Sequence, residues 1–256
     1  MPLPKADDRQ PQAGEGTDRR GVLYVVATPI GNLEDVSERA LRVLREVDRI
    51  AAEDTRRTGR LLAHYGIDKP LTSYHDAAER RKAPELVAEL SSGKSLALVS
   101  DAGTPLISDP GYRLVRAALD AGVSVVPIPG ASALTALLSV AGLATDRFVF
   151  EGFLPPREGR RRRRLEALRS ERRTVVFYES PHHVERTLAE IEQILGDRPI
   201  VVGRELTKLF EEIQRGTVSS VRAEIAGKPP RGEYTLVLAG ADDAGEPSDR
   251  DTPLVP

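Results

Sequence analysis

Gly21-Val22-Leu23-Tyr24-Val25-Val26-Ala27-Thr28-Pro29-Ile30-Gly31-Asn32 is the stretch that decides how the chain is read. An apolar, largely β-branched run passes straight into a Pro/Gly turn, which predicts a strand over Val22–Thr28 with the turn at its C-terminal end. The same grammar recurs twice. Leu96–Ser100 runs into Asp101-Ala102-Gly103-Thr104-Pro105 and on through Leu106 to Gly111, and Val123–Ile128 runs into Pro129-Gly130-Ala131-Ser132-Ala133. In open α/β sheets ligands gather at strand C-termini, because turn backbone and helix N-termini expose unpaired N–H groups there. Glycine allows the backbone to come close. One such turn is ordinary connection chemistry; three in half a chain, each with small or polar residues, predict bends that converge on one pocket.

Working outward, further strands are predicted at Arg49–Glu53, Phe148–Phe153, Thr174–Glu179, Ile200–Arg204 and Tyr234–Ala239. Helices are predicted at Glu34–Val47, Thr55–His64, Ala77–Leu90, Pro110–Asp120, Ala131–Ala141, Arg160–Arg169, Pro181–Leu195 and Ser220–Ile225. Asp109-Pro110 and Ser180-Pro181 read as N-caps followed by proline at the first helical position, and Gly122 and Gly196 read as left-handed C-terminal caps. Strand–helix alternation predicts an α/β fold with largely parallel sheets. The pattern restarts near Ala131–Ala141, dividing the chain into lobes at 21–130 and 131–240, with a disordered leader (1–20) and tail (241–256).

Composition narrows the function. Of 256 residues 40% are apolar and 30% charged, which suits a soluble α/β protein with a real core. No apolar run approaches the roughly 20 residues of a bilayer span, and the polar N-terminus lacks the apolar core of a signal peptide. Absence of cysteine removes disulfides and thiolate chemistry, and fits a reducing cytoplasm. No G-x-G-x-x-G follows a strand, which argues against an ordinary dinucleotide site and makes a phosphate-binding Rossmann enzyme a poor third reading. Gly93-Lys94-Ser95 precedes a strand instead of opening a helix and is no P-loop, and no metal-ligand spacing occurs. A formal net charge of −2 argues against a uniformly basic nucleic-acid binder. Against that background Arg157, Arg160, Arg161, Arg162, Arg163, Arg164, Arg169, Arg172 and Arg173 form a local basic run suited to gripping phosphates. The scattered aromatics, Tyr24 among them, show no stacking motif, so RNA recognition is expected through shape and context.

Thr28-Pro29-Ile30-Gly31-Asn32, Ala52-Glu53-Asp54-Thr55-Arg56, Ser100–Gly111, Pro127–Ala133, Phe177-Tyr178-Glu179-Ser180-Pro181-His182 and Arg204-Glu205-Leu206-Thr207-Lys208 together closely resemble the tetrapyrrole methylase superfamily. Within it they resemble the branch that modifies ribosomal RNA. The resemblance spans about Gly21 to Gly240. It implies the two-lobed class III fold of S-adenosyl-L-methionine-dependent methyltransferases, with a cofactor cleft between lobes and a cytoplasmic homodimer. It also implies 2′-O-methylation of a cytidine of 16S rRNA in the small ribosomal subunit. His183 departs from the arginine common in the family, and the acidic, proline-bearing tail departs from the small helical domain into which many members continue.

The implied cofactor needs apolar walls for adenine, acceptors for its amines and N–H donors for its carboxylate. On the resemblance, Asp101, Ala102 and Gly103 form its floor and Pro29 one wall. Ser132 and Ala133 offer N–H groups, and Tyr178 and Leu206 face adenine. Candidate bases for a ribose hydroxyl are Glu53, Asp54, His75, Glu79, Glu179, His182 and Glu205, with Glu179, Glu205 and His75 foremost. Arg160, Arg161, Arg162, Arg163 and Arg164 are the RNA-binding candidates. Competing readings are a C-methyltransferase acting on corrin or sirohaem precursors, which gives the arginines no role, and a non-catalytic ribosome-assembly factor, which binds no cofactor.

Overall fold

The computed structural model describes residues 21–241; the leader and nearly all of the tail lie outside the described residues. The chain divides into two compact units. The first comprises the described part of Met1–Val26 with Glu38–Asp101 and Pro110–Ile128; the second comprises Ala27–Ser37, Ala102–Asp109 and the described part of Pro129–Pro256.

The first unit contains β1 (Val22–Val26), α1 (Glu38–Glu46), β2 (Arg49–Ala52), α2 (Thr55–His64), β3 (Leu71–Ser73), α3 (Asp76–Ser91), β4 (Leu96–Val99), α4 (Tyr112–Asp120) and β5 (Ser124–Ile128). Its strands lie in the order β3-β2-β4-β1-β5, and every pair is parallel. Central β4 is buried throughout, which is why Leu96–Val99 reads as a continuous apolar run without alternation. Asp54 opens α2 by accepting from the Arg56 amide at 2.8 Å.

The second unit contains α5 (Ala133–Val140), β6 (Phe148–Phe153), α6 (Glu158–Ala167), β7 (Thr174–Glu179), α7 (Val184–Leu195), β8 (Pro199–Arg204), β9 (Glu212–Thr217), α8 (Val218–Ile225) and β10 (Tyr234–Leu238). The order is β6-β7-β10-β8-β9. Only β6–β7 is parallel, so the expectation of largely parallel sheets fails here. β10 inserts antiparallel between β7 and β8, a choice of partner that local periodicity does not encode. The sheet alternates between two apolar faces. Val175, Phe177, Val202 and Leu236 pack in one core with residues of α6, α7 and α8, whereas Val176, Val201 and Val237 pack with Leu137 and Leu138 of α5.

Two strands escape the sequence reading. β3 has three residues, and the edge strand β9 carries little apolar surface to betray it. Two predicted caps also shift. α4 starts at Tyr112 behind Gly111, at φ 142°, because the buried carboxylate of Glu79 takes the Gly111 amide at 2.7 Å. α7 starts at Val184 behind His183, after a turn in which the His183 and Val184 amides donate to the Ser180 carbonyl. The helix predicted over Glu34–Val47 splits into a 3-10 turn at Leu33–Asp35 and α1. Gly122 and Gly196 do take positive φ, at 69° and 92°.

Gly21 enters β1 by donating to the Leu90 carbonyl at 2.8 Å, and a Cβ there would overlap the Lys94 carbonyl oxygen. Because the obstacle is backbone, Gly21→Ala is expected to destabilise the protein by roughly 1–3 kcal/mol, the usual range for overpacking. Equilibrium urea denaturation checks this; an unchanged midpoint contradicts it.

Candidate active site

Most of the three bends predicted from sequence belongs to the second unit, as Ala27–Asn32, Ala102–Asp109 and Pro129–Ala133; Asp101, Pro110 and Gly111 stay with the first. Thr28 and Gly103 exchange both backbone hydrogen bonds, at 2.9 and 3.0 Å, tying the first bend to the second. Gly103 sits at φ 86°, where a Cβ would be strained and would lie 3.3 Å from Ile30 Cγ2. The Thr104 hydroxyl donates to the Ala131 carbonyl at 3.2 Å, tying the second bend to the third. Gly130 packs so close to Ala27 that a Cβ would sit 3.0 Å from the alanine methyl.

A fourth loop joins them. Glu205 and Thr207 have φ of 52° and 66°, and in the second bend Leu106 and Ser108 have φ of 72° and 66°. Left-handed backbone is uncommon for such residues, most of all β-branched threonine, and costs about 1–3 kcal/mol each unless the surroundings over-determine it. Here they do. The Asn32 amide donates to Thr207 Oγ1 at 3.1 Å, the Thr207 amide donates to Glu211 Oε2 at 2.6 Å, and a side chain at Gly31 would overlap Lys208. Ile30 and Leu206 are buried beside Leu137, with Ala131, Ala133, Leu134 and Phe150 partly buried around them.

Tyr178 rises from β7 toward the same place. Its hydroxyl accepts from the Leu134 amide at 3.1 Å, and its ring meets Phe150 and Phe153 edge-on at 5.0 and 5.7 Å. Burial pushes its phenol above the ordinary tyrosine range, outweighing the opposing hydrogen bonds from Ser132 and Leu134. Ser132 opens α5 without a side-chain cap. The amides of Ala133 and Thr135 are left without protein acceptors among the described residues, at the positive end of the helix.

The second unit thus brings together Pro29, Ala102, Gly103, Ser132, Ala133, Tyr178 and Leu206. Their chemistry suits S-adenosylmethionine: an apolar wall from Ile30, Leu206 and Tyr178, glycine-permitted backbone, and open N–H donors for a carboxylate. Asp101 belongs to the first unit, where its carboxylate is already engaged. It accepts from the Asp54 amide at 2.9 Å and pairs with Arg57 Nη1 at 3.3 Å, while its own amide donates to Glu53. Burial, reinforced by Asp101 and Asp76, pushes Glu53 up against the lowering hydrogen bond from the Asp101 amide. Asp54 is held well below the carboxylate range, chiefly by Arg56.

The candidate bases scatter. His75 is an exposed residue of the first unit at the start of α3, its carbonyl capping the Ala78 and Glu79 amides. Glu79, in the same unit, holds Gly111 and Arg113. Glu179 lies on the Phe177 face of β7, opposite Tyr178. Its oxygens accept from the Ser180 amide at 2.7 Å and Thr187 Oγ1 at 2.6 Å, so it anchors the approach to α7. His182 is exposed. Glu205 alone lies in the strained fourth loop. Burial raises its pKa, but the Lys208 ammonium at 2.8 Å and the Glu233 amide at 3.0 Å prevail and hold it below the usual carboxylate range.

The arginine run is not a uniform surface. Arg161 is only 2% exposed. It forms a bidentate pair with Glu190 at 2.5 and 2.7 Å and donates to the Pro156 carbonyl, so this candidate RNA contact proves to be a buried strut between α6 and α7. The reason is helical phase: Arg161 falls on the inward face with Leu165. Arg164 pairs bidentately with Glu151, and Arg162 donates to Gln193 at 2.9 Å. Arg160 and Arg163 remain exposed and carry no ion pair among the described residues. Sequence reasoning missed Phe150, Phe153 and Thr104; for the two phenylalanines the overlooked signal was Gly152 interrupting a strand pattern.

Residues 22–222 match the family described as Tetrapyrrole (Corrin/Porphyrin) Methylases, and the chain belongs to it. Relatives named "Ribosomal RNA small subunit methyltransferase I" include one from Synechocystis sp., 51% identical, covering 89% of this chain and 82% of the relative. Another, from Thermotoga maritima, is 49% identical and covers 87% of this chain and 100% of the relative. Among solved structures, diphthine synthase superposes with a TM-score of 0.65 at 20% identity, covering 86% of this chain and 90% of that one. Uroporphyrin-III-C-methyltransferase from Thermus thermophilus gives 0.60 at 22%, with 87% and 96% covered. At that identity these two establish the fold alone.

Removing Arg161 strands a buried carboxylate, so Arg161→Ala is expected to cost roughly 3–5 kcal/mol, whereas exposed Arg163→Ala stays within about 0.5 kcal/mol. Urea denaturation of both checks the contrast. The hydrogen bond from Arg161 lowers the Glu190 pKa below its ordinary 4.5. A depressed carboxylate stabilises the fold above its unfolded pKa, and the contribution disappears as pH falls below 4.5 through the folded value. Glu190→Gln should accordingly flatten stability in that acid window and leave its pH slope near neutrality unaltered.

Proposed function

We propose that this protein transfers the methyl group of S-adenosylmethionine to 16S rRNA in the small ribosomal subunit, at the 2′-hydroxyl of a cytidine. One observation carries the reading: the turns after β1, β4 and β5 are hydrogen-bonded into one cradle with an apolar wall and open amides, in a chain of the methylase family. The relatives' shared name supplies the substrate class.

The cofactor, when bound, supplies an electrophilic methyl on a sulfonium. The chain's part is to hold both partners. We assign the Ala133 and Thr135 amides to the cofactor carboxylate, Ile30, Leu206 and Tyr178 to the adenine wall, and Pro29, Ala102 and Gly103 to the backbone floor. Asp101 acts indirectly, by fixing the Glu53–Asp54 turn. Glu205 is kept ionised by Lys208 and is a weak base, so its role is to orient. Acceleration then rests on positioning, worth roughly 7–11 kcal/mol when reactants are well aligned, and the 2′-hydroxyl proton would leave to solvent water as the methyl is exchanged from sulfur to oxygen. We assign Glu179 and His75 no proton transfer: the first anchors α7 and the second is an exposed helix start. Arg160 and Arg163, with Arg157, grip phosphates. We take the active species to be a cytoplasmic homodimer with lobes at 21–130 and 131–240. No described helix is long and apolar enough to cross a membrane.

Incubating the protein with methyl-labelled cofactor and unmodified small subunits should label 16S rRNA at one cytidine, and alkaline hydrolysis should leave a resistant dinucleotide there. Label in a macrocycle precursor and none in RNA overturns the reading. Glu205→Gln should lower kcat by less than about 10²-fold, under the usual general-base contribution of 10²–10⁴. Arg160→Ser with Arg163→Ser should weaken subunit binding and reduce its salt dependence by about 0.7–0.9 in log–log slope per lost phosphate contact. Cofactor affinity, by calorimetry, should not change.

A further inference from the structure

Edge strand β6 carries a bulge between Phe150 and Gly152, with Gly152 at φ 62°. The bulge has a specific consequence. In a regular strand, residues three apart point to opposite faces; with one residue inserted, Phe150 and Phe153 come to the same face. They stand opposite Val176 and Tyr178 of β7, and both rings meet Tyr178 edge-on. Phe150 is partly buried in the α5 core, but Phe153 is 56% exposed. Its support is firm, since Tyr178 is fixed by burial and by the Leu134 amide.

Directly beyond Phe153 the chain enters the basic segment, with Arg157 four residues on and Arg160 three further. That segment is tied to β6 at the bulge and, separately, to α7. Glu151, the inserted residue, pairs bidentately with Arg164, and Arg161 ties α6 to α7 and to the Pro156 carbonyl. A rigid exposed ring followed within a few residues by exposed arginines that carry no ion pair among the described residues supplies the two elements that bind single-stranded nucleic acid: stacking for a base, cations for its phosphates.

We infer that Phe153 is a stacking platform for an unpaired base of the RNA substrate, set by the β6 bulge beside the tyrosine of the cofactor cradle. The inference rests on the RNA-methylation reading and adds to it a positioning residue and a substrate feature: the RNA is engaged through a splayed-out base as well as through its backbone.

The chain has no tryptophan, so Phe153→Trp introduces a single indole fluorophore. Adding a short single-stranded RNA oligonucleotide should quench its emission, and adding cofactor alone should not. Phe153→Ala should raise the KM for small subunits about 5- to 150-fold, the range for losing one base–aromatic stack. Phe153→Tyr should restore it, with cofactor affinity equal to wild type throughout. Indole emission of the Phe153→Trp variant left unquenched by RNA, together with a Phe153→Ala KM within about twofold of wild type, overturns the inference. So does a change in sedimentation of Phe153→Ala with unaltered KM, which would make the ring a contact between copies. Wild-type protein run in parallel separates the two levels: if it fails to methylate small subunits, the functional reading itself has failed; if it succeeds, only the platform is under test.

Discussion

Thr28 and Gly103 each give an amide hydrogen to the other's carbonyl, and the candidate site depends on that exchange. The two residues follow different strands of the first sheet, yet the turns carrying them group with the second unit. Each turn sheds polar backbone that must find partners. The partners are other turns: Thr28 with Gly103, Thr104 with Ala131, Asn32 with Thr207. Glycine at 103 is required because the pairing is made at a φ of 86°.

The strained residues follow from the same constraint. Leu106, Ser108, Glu205 and Thr207 adopt left-handed backbone in the segments that pack on this junction. At Glu205 and Thr207 the cost is offset by side chains that hold them, the Lys208–Glu205 pair and the Glu211 carboxylate on the Thr207 amide. Strain of this kind collects where geometry matters more than stability. The lysine that fixes the loop also holds the Glu205 carboxyl below the usual carboxylate range, against the effect of burial.

Charge in the second unit is spent in two ways. Arg161 and Arg164 are engaged by Glu190 and Glu151 and act as struts, which leaves Arg160 and Arg163 exposed on the same helix. The bulge at Glu151 and Gly152 serves both purposes, since it places one strut's carboxylate and turns Phe153 onto the tyrosine face. Support and contact are therefore built from adjacent residues of one strand.

The order and type of most elements, the three Gly/Pro turns, the positive-φ glycines at 122 and 196 and the basic run were legible in the sequence, because each is a local pattern of periodicity or turn chemistry. Family membership was legible as well, since its motifs are contiguous. Tertiary structure alone decided which strands pair, turning most of the second sheet antiparallel, and which face of β7 lines the cradle, leaving Glu179 on the other. It also decided which arginine of five adjacent ones is buried. Those outcomes depend on partners far along the chain: a strand's neighbour, a helix's phase against a core, a carboxylate 29 residues from its guanidinium. No window of sequence contains both halves of such a contact.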